Sequence, residues 1–110
     1  MSEGGAALVW SPFASQEEAA AVARQLLEER LVACANILPH VLSIFRYDGK
    51  VQTAGEVGVL FKTEARLLDR ATARLAELHP YATPAIAGWE AASAPPATRE
   101  WLAQLVEEGG

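Results

Sequence analysis

The apolar positions of this chain keep two periods, and each change of period marks a new element. Residues 6–12 open with a short apolar run, Ala-Ala-Leu-Val-Trp, closed by Ser11-Pro12, which predicts a first strand. Ser15-Gln16-Glu17-Glu18 then matches a capping box: the Ser side chain takes an N–H three residues on, and the Glu reaches back. A helix follows to about Glu29, with Ala19, Val22, Ala23, Leu26 and Leu27 on one stripe.

From Leu31 the pattern turns to strand. Leu31 to Tyr47 is rich in Val, Ile, Leu and aromatics, and Asp48-Gly49 follows, a pair that favours a two-residue type I′ hairpin turn. The return strand runs Lys50 to Thr63. Val57, Val59 and Phe61 point one way, and Glu56, Gly58, Leu60 and Lys62 the other. A second helix from about Ala65 to His79 presents Leu67, Leu68, Ala71, Leu75 and Leu78; Pro80 ends it, and a cationic His79 in the last turn would suit the dipole. Thr83 to Ala91 reads as a fourth strand. Pro95-Pro96 opens a last helix to about Glu107, packing through Trp101, Leu102, Leu105 and Val106, with 108–110 expected to fray.

Strand, helix, strand, strand, helix, strand and a tail helix make an α+β chain: the ferredoxin-like split βαβ order, an antiparallel sheet with helices on one face. It is one domain over 1–110, with an ordered core of about 6–107. The hairpin is the anomaly. Its arms of about 14 to 17 residues span roughly 45–55 Å, while a domain of this size has a radius of gyration near 13 Å. The hairpin must therefore project or bend. Simple register from the turn sets Pro39 opposite Gly58, where a bend or bulge is expected. It also puts Ile37, Leu60 and Val41 on one side and Leu38, Val59 and Phe61 on the other. With helices on one face only, the open face and long edge call for burial in a homo-oligomer.

Composition narrows the function. Net charge is −5 with nine scattered basic residues, so phosphate neutralisation is a poor fit and no nucleic-acid partner is expected. The single cysteine, Cys34, leaves no intrachain disulfide and no CxxC pair. Met1 to Gly5 lacks the features of a signal peptide, and no membrane span is evident; the expected setting is cytoplasmic. There is no glycine-rich phosphate loop, HExxH or nucleophile elbow, and no enzyme activity is expected.

Four blocks, in order, resemble the divalent-ion tolerance family (CutA). They are Glu29-Arg30-Leu31-Val32-Ala33-Cys34-Ala35-Asn36-Ile37, Phe45-Arg46-Tyr47-Asp48-Gly49-Lys50, Glu56 to Thr63, and His79-Pro80-Tyr81-Ala82-Thr83-Pro84-Ala85-Ile86. The chain departs from that family at Tyr47, where Trp is commoner, and at His40, where Gly is common. Residues 10–13 and 87–91 are also less regular. The resemblance implies a homotrimer built through the hairpin and open sheet face, and an association with tolerance of divalent metal ions, copper above all. It implies no cofactor needed for folding, and leaves room for an unknown protein partner. Cys34 can bind a soft ion such as Cu(I) if partners are supplied, or serve as a small buried apolar residue. His79 can ligate a metal or simply close its helix. His40 can coordinate but reads as exposed. Lys62, Tyr81, Asn36 and Glu56 are candidates for a polar inter-subunit cleft, with Lys62 either holding an anion or snorkelling at the strand end. Trp10, Trp89 and Trp101 read as packing residues.

Two function classes follow. One is a trimeric, metal-responsive protein that binds cations weakly. The other is a regulatory module that takes a small anionic ligand through Lys62 and Tyr81, or a scaffold that anchors a partner.

Overall fold

The computed structural model describes residues 4–109, so the N-terminal reading at residues 1–3 and the expected fraying at Gly110 lie outside it. The element order is β1 (Ala6–Phe13), α1 (Gln16–Glu28), β2 (Cys34–Tyr47), β3 (Lys50–Glu64), a 3₁₀ turn (Ala65–Leu67), α2 (Leu68–Leu78), β4 (Ala87–Glu90) and α3 (Pro96–Gly109). The four strands form one antiparallel sheet in the order β2-β3-β1-β4. That is the expected ferredoxin-like order and pairing, with α3 departing from the expectation of helices on one face only.

Local chemistry sets the element ends. Ser15 caps α1 by accepting the Glu18 N–H at 3.1 Å. Arg30, at φ 62°, breaks the chain away from α1, so β2 begins at Cys34 rather than Leu31. Asp48 and Gly49 both have positive φ (58° and 75°), as a type I′ turn requires, and Tyr47 pairs with Lys50.

The core lies between the sheet and helices α1 and α2. Val9 and Phe13 of β1 and Val59 and Phe61 of β3 meet Ala19, Val22, Ala23 and Leu26 of α1 and Ala71 and Leu75 of α2. Arg74 on α2 grips Glu29 at the end of α1 with two hydrogen bonds of 2.8 Å, holding the carboxyl down at about 2. Three residues read as packing residues lie outward instead: Leu27, Trp89 and Trp101 are exposed, and Leu102 carries α3's burial. α3 packs against β3 and β1 near Glu64, which alternation places on the second face of the sheet, away from the core. It extends to Gly109, past the expected end. β4 is only four residues long. Thr83–Ile86 stays irregular, because Pro84 has no N–H to donate, and the buried Ser11 hydroxyl donates to the Ala85 carbonyl at 2.8 Å.

The hairpin carries the expected break, with a register that differs from simple counting. Leu38 pairs with Gly58 and Val41 with Glu56, so Pro39 and His40 together stand against Val57. His40 takes φ 64°, the left-handed region that favours glycine. This one-residue bulge exchanges faces between the two halves of β2. Ile37 therefore lies with Val59 on the core side, and Leu38 and Val41 lie with Leu60 on the second face, correcting the grouping expected from simple register. Gly58 gives room not to Pro39 but to the Trp10 indole, which lies where a Cβ would stand.

Candidate functional site at the base of the hairpin

The hairpin changes character at Val57. From there β3 pairs with β1 as far as Glu64 and with β2 from Gly58 to Lys62; from Lys50 to Glu56 it pairs with β2 alone. The outer half is a two-stranded ribbon, a unit that is marginal by itself in water. Both its sides are apolar and open. Leu42 (70%), Ile44 (68%) and Val51 (65%) are exposed on one, and Phe45 and Tyr47 on the other. The molecule measures 44 × 26 × 22 Å, and hairpin arms of 14 and 15 residues approach its full length at about 3.3 Å per residue.

Where the ribbon leaves the sheet, the segment after α2 folds against it. His79 is only 7% exposed. Its ring stacks on Phe13, with centroids 4.1 Å apart and planes 11° from parallel, and meets the Tyr81 ring at 4.8 Å. A carbonyl can only accept, so the 2.9 Å contact with the Pro12 oxygen fixes the proton on Nε2. Nδ1 then accepts the Tyr81 N–H at 3.2 Å. Burial pushes the imidazole below its ordinary range, against the Pro12 hydrogen bond and the charges of Glu18 and Glu56. His79 is therefore a neutral packing residue with both nitrogens taken, which corrects its reading as a dipole-matching cation and gives it no lone pair for a metal.

Tyr81 reaches back to the ribbon and donates its hydroxyl to Glu56 Oε2 at 2.6 Å. Burial raises the phenol's pKa most, followed by that hydrogen bond and the charges of Glu56 and Glu18, so it remains a donor. Tyr81 and Glu56 line an open groove of about 900 Å³ with Leu42, Ile44, Phe45 and Tyr47.

The other candidates gather elsewhere. Cys34, Asn36 and Lys62 share the second face at the inner end of the hairpin: Cys34 is half-buried, its thiol lies 3.5 Å from the Asn36 carbonyl oxygen, and it pairs across the ladder with Lys62. Glu56 lies on that face too, but six residues from Lys62 along β3, about 20 Å. The expected cleft of Lys62, Tyr81, Asn36 and Glu56 is thus two separate sites in one chain, Cys34–Asn36–Lys62 and Glu56–Tyr81. Cys34 and His79 also lie apart: Cys34 pairs with Lys62, while His79 holds Pro12, which pairs with Gly58. His40 stands in the bulge, exposed. Among the described residues no group of three or more His, Cys, Asp or Glu side chains could hold a metal ion, and no helix is long and apolar enough to cross a membrane. Local sequence gave no sign of the Pro12–Phe13 cradle for His79, which joins positions 67 residues apart.

The family model of the CutA1 divalent ion tolerance protein matches residues 7–105. A divalent-cation tolerance protein from Pyrococcus horikoshii is 40% identical over 72% of this chain and 76% of its own length. One from Thermococcus kodakarensis is 34% identical over 92% of this chain and 96% of its own. Among solved structures, the divalent ion tolerance protein of Ehrlichia chaffeensis superposes with a TM-score of 0.87 at 28% identity, covering 94% of this chain and 97% of that one.

Proposed function

The chain belongs to the CutA1 divalent ion tolerance family, and from that premise we propose that it serves divalent-cation tolerance as a homotrimer. In this reading the β2–β3 hairpin closes the assembly, and copper or another divalent cation binds weakly, through Cys34, in the cytoplasm. The observation that carries it is the two-stranded ribbon with apolar side chains on both sides. A folded chain that leaves Leu42, Ile44, Val51 and Tyr47 in water is incomplete, and further copies of itself supply the missing cover.

Weak cation binding follows from the surroundings of Cys34. One thiol and one amide oxygen make a partial coordination sphere, and a soft thiolate suits Cu(I). Lys62, directly across the ladder, sets a positive charge beside any cation held there and lowers its affinity. Further ligands come from other copies, with each chain contributing one thiol. The role is binding, with no catalytic step.

Calorimetric titration with Cu(I) and with Cu(II) tests this. Heat of binding is expected for the wild type and is lost in Cys34→Ser. No heat for the wild type, or full heat in Cys34→Ser, overturns the cation reading.

The groove beside Tyr81 and Glu56 favours a second reading, a regulatory module for a small ligand. An anion held jointly by Lys62 and Tyr81 would need those residues from different copies. A ligand-induced thermal shift lost in Lys62→Ala supports this reading; a metabolite screen with no shift removes it.

A further inference from the structure

The backbone N–H and one ring face of Tyr81 are held by a single neutral imidazole. His79 donates from Nε2 to the Pro12 carbonyl and accepts at Nδ1 from the Tyr81 N–H. Its ring is held between Phe13 and Tyr81. The neutral ring satisfies both partners, and the charged ring satisfies only one. A proton taken from solvent must enter on the Nδ1 lone pair, and two N–H groups would then face each other where one hydrogen bond had been.

The backbone that follows is fit to move. It has no regular structure from 79 to 86 and contains Pro80 and Pro84. Besides the His79 contacts, it is held by the Tyr81–Glu56 and Ser11–Ala85 hydrogen bonds and, at its far end, by Ile86 packed against the core. Tyr81, Ala82, Thr83 and Ala85 form one wall of the groove, and Leu42 to Tyr47 of the ribbon form another.

We propose that residues 79–86 form an acid-released latch at the hairpin base: protonation of His79 at Nδ1 ejects the Tyr81 N–H and loosens the wall of the groove. Among the described residues, the ionisable groups that face His79 are Glu18 on α1, Glu56 on β3 and the Tyr81 phenol on its own segment; β1 presents Pro12 and Phe13. Burial opposes the proton and the two carboxylates favour it. Release therefore comes on mild acidification, below the ordinary histidine range, and not at neutral pH.

The chain has two histidines, so ring NMR of protein labelled at histidine gives two signals, and the one lost in His79→Gln assigns His79. The experiment follows both rings and the Tyr81 amide from about pH 7.5 to about pH 4.5. His79 is expected to titrate below the ordinary histidine range. At the same midpoint the Tyr81 amide should change shift and lose hydrogen-exchange protection about tenfold, beyond the intrinsic pH effect, the loss of one hydrogen bond. Glu56→Gln lowers that midpoint and keeps the response; His79→Gln abolishes it. A Tyr81 amide unmoved across the range overturns the latch. So do separate midpoints for His79 and Tyr81, a response that survives in His79→Gln, or one that vanishes in Glu56→Gln. The wild-type midpoints decide the matter if His79→Gln does not fold.

Discussion

Gly58→Ala tests the packing that lets the hairpin leave the sheet. The missing side chain of Gly58 is filled by Trp10: a Cβ there would stand 2.9 Å from both Cζ2 and Cζ3 of the indole, and closer still to Cη2. An aromatic ring does not give by bending, so either the indole must turn out of its place or the strands must separate. Overpacking of this kind costs about 1–3 kcal/mol. Against it, alanine restricts the unfolded chain and returns about 0.4–1 kcal/mol. The net expectation is a loss of about 1–2 kcal/mol, a fall in Tm of about 4–8 °C for a chain of this length. Denaturant unfolding at one fixed protein concentration is the assay, because the stability of an assembling chain depends on concentration. Repeating the substitution in Trp10→Leu removes the obstacle, and a coupling of about 1 kcal/mol is expected between the two sites. Gly58→Ala as stable as the wild type, or equally harmful with and without Trp10, would refute the reasoning.

Other expectations follow from single contacts. His40→Gly relieves the left-handed backbone at the bulge, at some entropic cost in the unfolded state, and should stabilise the chain by about 0.5 kcal/mol in the same assay. Glu29 titrates at about 2 in the folded chain because Arg74 hydrogen-bonds its charged form. That contribution is present above pH 4.5, the unfolded value, and disappears as pH falls from there towards 2; in Arg74→Ala the acid limb of the stability–pH curve should be flatter. Tyr81→Phe removes the donor to Glu56 and should cost about 1 kcal/mol, with the Tyr81–Glu56 contact isolated by a cycle with Glu56→Gln.

The elements were legible where short-range chemistry decides them. Ser15 announced a cap, Asp48-Gly49 a turn with its register, and the Val57–Phe61 alternation a core face; each follows from neighbours a few residues apart. The faces of the inner hairpin were not legible. The bulge was expected near Pro39, but that two residues, Pro39 and His40, stand against Val57 was not, and that count exchanges every side chain's face. Cys34, Asn36, Glu56 and Lys62 fall on the strands expected for them, yet how the candidates group within one chain was hidden. His79 looked like an open helix end because Pro12 and Phe13, which take up its ring and its proton, come from the first strand. Lys62 and Tyr81 were expected to meet between subunits, and within one chain β3 carries Lys62 and the Tyr81 acceptor Glu56 about 20 Å apart.

The central claim is that the ribbon beyond Val57 exists to be covered by other copies of the chain. Light scattering on the eluting protein, at low micromolar concentration and moderate salt, measures this without a ligand or a variant. The account predicts a single species of about three times the 11.8 kDa chain mass. A species of 11.8 kDa, soluble and folded by circular dichroism, would contradict it.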